Sequence, residues 1–169
     1  MEFKLKSISK GGIDKAIAKA DVYRYLNEPG EAESICRDIL AIEPDNQAAL
    51  RLLGLSITDQ FTGGPSDRSD EAVSIFQSLN SRYEQLYYAG LLLERRAKAQ
   101  LRAGRMPHAL LALFEEAMYC FEEAEKIRPE GNDDAILRWN RCARLLQSRL
   151  GSEWQREIEV MDGGDSPPI

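Results

Sequence analysis

The stretch from Ala16 to Pro44, AIAKADVYRYLNEPGEAESICRDILAIEP, restricts the possible folds of this chain more than any other. Its first half sets Ala16, Ile17, Ala20, Tyr23 and Leu26 at steps of three and four, which is one face of an α-helix. Asn27-Glu28-Pro29-Gly30 then breaks the pattern. Glycine with proline favours a turn, and proline also suits the first turn of a following helix. The second half carries Ala32, Ile35, Cys36, Ile39 and Leu40 on one face and stops at Glu43-Pro44, because the residue before a proline is pushed out of the helical region. The pattern predicts one helix over about Asp14 to Leu26 and a second ending before Pro44. Asp45-Asn46 supplies an N-cap for the next. A helix pair this short cannot bury its apolar face alone, so neighbours must stack beside it.

Looser copies follow. The second has Ala48-Ala49-Leu50, Leu53-Gly54 and Ile57, then Ala72, Phe76 and Leu79. It is lengthened by an insertion at Thr62-Gly63-Gly64-Pro65-Ser66-Asp67, a loop by composition. In the third, Ala117, Phe121 and Pro129 repeat the offsets of Ala32, Cys36 and Pro44, with Ala124 on the same face. Its first helix is predicted over Tyr88 to Ala103, ending at Gly104, and its second from near Pro107 to Ile127. A final helix, Asp133 to Leu150, has Ile136, Leu137, Cys142 or Ala143, Leu145 and Leu146 on its apolar side. It either opens a fourth unit or caps the stack.

These residues resemble a tetratricopeptide repeat, whose pattern runs W-x2-L-G-x2-Y, then A-x3-F, then P. Ala20, Tyr23, Ala32 and Pro44 fit it; Ala16, Lys19 and Cys36 depart from the large apolar residues of that family. The resemblance implies an all-α fold, a superhelical stack of antiparallel helix pairs with about seven helices. The expected domain covers 14–150, with an N-terminal arm over 1–13 and a C-terminal extension over 151–169, disordered from about 162. Phe3-Lys4-Leu5-Lys6, which alternates like a strand, is read as part of a frayed arm.

Composition narrows the function. The apolar runs Leu91-Leu92-Leu93 and Leu110 to Phe114 are far shorter than a membrane span, and Met1-Glu2-Phe3-Lys4 lacks the apolar core of a signal peptide. Cys36, Cys120 and Cys142 have no close pair spacing, which favours buried core thiols in a reducing compartment. A soluble cytoplasmic protein is expected. His108 is the single histidine, and Cys120 lies twelve residues along the same predicted helix, roughly 18 Å away, too far to pair with it. Gly63-Gly64-Pro65 lacks the lysine and hydroxyl residue of a phosphate loop, and Gly11-Gly12 lacks the preceding strand of a dinucleotide site. Glu115-Glu116 and Glu122-Glu123 read as a solvated face. No enzyme, metal or cofactor is expected.

The net charge of −6 conceals blocks. Residues 87–105 hold five cationic side chains and one acid, residues 106–134 two cations and eight acids, and residues 135–150 four cations and no acid. In tetratricopeptide-like folds the first helices of successive units line a concave groove, so the resemblance would aim both basic helices at that groove. Arg95, Lys98, Arg102, Arg138 and Arg141 would then engage carboxylates of a partner segment, with Tyr23, Tyr25, Tyr88 and Trp139 in apolar contact. The competing reading takes these charge runs as solvated faces and pairs the arginines of the last helix with Glu115, Glu116, Glu122, Glu123 or Glu125 of the adjacent helix. The expected function is a non-catalytic adaptor or scaffold that binds a protein or peptide, acidic by this charge argument. Self-assembly into homo-oligomers is one alternative. RNA binding is another, which the acidic balance disfavours.

Overall fold

The computed structural model describes residues 3–162, with side chains over 3–151. The described chain is helical without strands: α1 Ile13–Tyr25, α2 Pro29–Ile42, α3 Gln47–Asp59, α4 Ser69–Gln77, α5 Arg82–Arg102, α6 Pro107–Lys126 and α7 Asp134–Asp162. A single 3-10 turn, Lys10–Gly12, leads into α1. Local chemistry sets these boundaries. Pro29 and Pro107 open α2 and α6 in the first turn. The Asn46 side chain accepts from the Ala49 amide, and that of Ser81 from the Glu84 amide, which caps α3 and α5. Asn27, at φ +59°, turns the chain between α1 and α2.

Each helix packs on the next, and the odd-numbered helices also touch across, α1 with α3, α3 with α5 and α5 with α7. This is a stack of antiparallel helix pairs, as expected. Its odd helices form one layer and its even helices a second. Two helices differ in length from the reading of the sequence. α5 starts at Arg82 rather than Tyr88, because Ser81 caps it there. α7 runs past Leu150 to Asp162, since nothing in Gly151-Ser152-Glu153 ends a helix as a proline would. Phe3 and Leu5 are exposed and form no strand, whereas Ile8 packs beside Ile13, Ile39 and Ala49. The disorder expected towards the C-terminus lies outside the described residues.

Small residues let the helices close up. A Cβ on Gly54 would sit 2.4 Å from the Phe76 ring, and one on Gly90 would sit 2.8 Å from the Phe121 ring. Gly54–Phe76 in the second unit and Gly90–Phe121 in the third are therefore the same contact, glycine of the first helix under phenylalanine of the second. The first unit buries Ala20 and Cys36 in the corresponding core. One core joins α1 to α5 through Leu53, Ile57, Phe61, Phe76 and Leu92; another joins α5 to α7 through Leu110, Phe114, Phe121 and Cys142. α5 faces both.

Candidate functional site

The layer of odd helices carries most of the residues expected to bind a partner, and the structure gives many of them another role. Arg95 of α5 lies against α3. Its guanidinium donates to Thr58 Oγ1 at 2.7 Å and to the Leu55 carbonyl at 3.2 Å, and pairs with Asp59 at 2.5 Å. Asp59 also takes Arg24 of α1 at 2.8 Å. One carboxylate thus ties α1, α3 and α5 together. Burial pulls the Arg95 guanidinium below its ordinary pKa, against the pull of Asp59.

Glu94 is the second such centre. It is fully buried, forms an ion pair with Lys98, and turns Oε2 towards Arg138 Nη1 of α7 at 3.5 Å, without a hydrogen bond. An unpaired carboxylate in that position would be expensive, so Lys98 and Arg138 are required by the fold itself. A third ion pair, Arg51 to Glu84 at 2.8 Å, joins α3 to α5.

The aromatic residues divide. Tyr88 stacks on Phe76 at 5.0 Å between ring centres, and burial pushes its phenol up to about 12. Tyr23 packs on the same core. Trp139 packs on the second core and donates from Nε1 to Glu122 at 2.9 Å. Tyr25 is 84 % exposed. Arg102 and Arg141 are exposed as well and form no ion pair with described residues. The nine residues therefore do not converge on one basic surface: Arg95, Lys98 and Arg138 are bound to this chain's own acids. Those acids are Asp59 and Glu94 of the first helices, not the α6 glutamates named in the competing reading.

The same face does hold a cleft, between α1 and α3. Ile17, Ala18, Leu52 and Leu55 line its apolar part, and Asp21, Arg24 and Arg51 its charged part, around about 300 Å³. Ala18 and Ala48 keep it open, having no side chain long enough to fill it. The ion pairs of Arg24 with Asp59 and of Arg51 with Glu84 hold its rim. Arg51 and Leu52 were not singled out from the sequence. Their only signal is an arginine set among leucines on the first helix of a unit.

The thiols are quiet. Burial pushes Cys36 and Cys142 up to about 12, and Cys120 is raised by burial first and by the Glu116 charge second. No described helix is long and apolar enough to cross a membrane.

Fold and face together define an all-α protein, a stack of antiparallel helix pairs tied across its first helices by ion pairs. Compared with known proteins, the chain matches no family model, no curated protein and no solved structure.

Proposed function

We propose that this chain is a non-catalytic interaction module of tetratricopeptide-like build, a cytoplasmic adaptor or scaffold that holds a partner segment on its odd-helix face. The supporting observation is the cleft between α1 and α3, which combines an apolar floor with charges of both signs on a braced rim. Shape and apolar contact dominate recognition there, with Asp21, Arg24 and Arg51 selecting register. A partner bound by Arg95, Lys98 and Arg138 is disfavoured, because removing those cations from Asp59 and Glu94 would leave acids unpaired inside the fold.

The test is capture from native cell extract with the wild-type chain and with the double variant Ala18→Glu, Ala48→Glu. Both alanines are at least partly exposed, so helicity and unfolding midpoint should match wild type. A protein enriched by wild type and lost at least about tenfold in the variant supports the reading. Equal recovery moves the interface off this cleft.

A second reading has one observation behind it. Val22 and Tyr25 of α1 and Leu26, which follows it, are 53 %, 84 % and 60 % exposed at the first helix of the stack. A second copy covering them would make the chain self-assembling. Light-scattering mass should then exceed that of one chain and fall to it in the Tyr25→Glu, Leu26→Lys variant.

A further inference from the structure

The layer of even helices differs from the odd layer in charge and in how its gaps are closed. α4 carries Asp70 and Glu71 with no cation, and α6 carries Glu115, Glu116, Glu122, Glu123 and Glu125 against Lys126 alone. Between α2 and α4 the gap is bridged. Arg68 grips Glu33 with two hydrogen bonds of 2.6 and 2.7 Å, and Arg37 spans Glu33 and Glu71 at 2.7 and 2.6 Å. Between α4 and α6 the described residues include no such bridge. α4 is a short helix, and an apolar cleft of about 210 Å³ opens there. Its floor is Ala89, Leu92 and Leu93 of α5, and its walls include Val73 and Phe76 of α4 and Cys120 of α6.

The cleft has a direction of charge. No cationic side chain lines it, Glu116 does, and neither Glu116 nor its neighbour Glu115 has an ion-pair partner among the described residues. Val73, 37 % exposed, stands at its mouth, one turn after Asp70 on the same side of α4. A large apolar side chain entering from outside would cover Val73, Ala89 and Leu93, which are not fully buried, and cations flanking it would meet unpaired carboxylates instead of displacing an existing partner.

We propose that the α4–α6 cleft takes the apolar anchor of a basic amphipathic segment from a partner protein. It is a second docking surface on the layer opposite the α1–α3 cleft, and it does not depend on that reading. A chain with two such faces can bridge two partners.

The probe is a short helical peptide of leucine and lysine in amphipathic order, labelled for fluorescence anisotropy, beside a leucine–glutamate peptide of the same pattern. Three variants accompany the wild type. Val73→Arg sets a cation at the mouth on a partly exposed position, and Glu116→Lys reverses the wall. Glu31→Lys makes the same net-charge change at an exposed position of α2, away from the cleft. Expected is saturable binding of the lysine peptide, at least about tenfold weaker for the glutamate peptide and for Val73→Arg and Glu116→Lys, and changed less than about threefold by Glu31→Lys. The proposal is overturned if the lysine peptide does not saturate, if both peptides bind alike, if Val73→Arg or Glu116→Lys binds like wild type, or if Glu31→Lys costs as much as Glu116→Lys. The last outcome would mean general attraction to an acidic protein.

Discussion

Glu94 shows at the level of one side chain why a basic run in a helix is a poor guide to its partner. The carboxylate is fully buried, and Lys98 one turn on and Arg138 from α7 are the cations that compensate it. Replacing both cations with methionine leaves a buried charge uncompensated and should cost about 3–5 kcal/mol in urea denaturation. Adding Glu94→Gln to that variant should recover part of the loss, because the stranded charge is gone. Gly54 makes a different point. Glycine to alanine within a helix ordinarily gains about 1 kcal/mol. Here the new Cβ would fall 2.4 Å from a Phe76 ring that is buried and stacked on Tyr88. Overpacking should win, so Gly54→Ala is expected to lower stability by about 1–2 kcal/mol, read as a lower urea midpoint with an unchanged slope.

At the scale of elements, α2 and the start of α4 are joined by Glu33. Hydrogen bonds from Arg68, then Gln60 and Arg37, outweigh desolvation and hold its carboxyl at about 2, from an ordinary 4.5. A depressed carboxyl stabilises the fold fully above its unfolded pKa, and that gain is lost as pH falls through the folded value. The window is therefore pH 4.5 down to 2. The Arg68 and Arg37 side chains are 39 % and 47 % exposed, so solvent screening trims the gain to about 2 kcal/mol. Denaturation across that window should show a steep loss in the wild type and a flatter one in Glu33→Gln. The helices themselves were largely legible in the sequence. Pro29, Pro44, Gly104 and Pro107 mark their ends by local stereochemistry, which needs no tertiary partner. The start of α5 was not, because the Ser81 cap is one weak signal beside Asn80.

Over the whole molecule, stability should be distributed along the stack and not shared equally. α5 divides it into a core with α1–α4 and a core with α6 and α7. Repeat stacks of this kind couple mainly to nearest neighbours. Gly90→Ala presses on the Phe121 ring and comes within 3.0 Å of the Ala117 carbonyl. Amide exchange in that variant should speed up most in α5, α6 and α7 and least in α1 and α2; equal acceleration everywhere would mean one indivisible core. The sequence by itself determined the all-α class and most of the helix ends, because apolar spacing, prolines and glycines act over a few residues. It could not decide which charges face outward. Arg95 meets Asp59, Lys98 and Arg138 meet Glu94, and Glu115 and Glu116 of α6 are left without an ion pair among the described residues, only once the layers have stacked. Ion pairing across helices depends on distances of a few ångströms between residues far apart in the chain, and packing alone sets those distances.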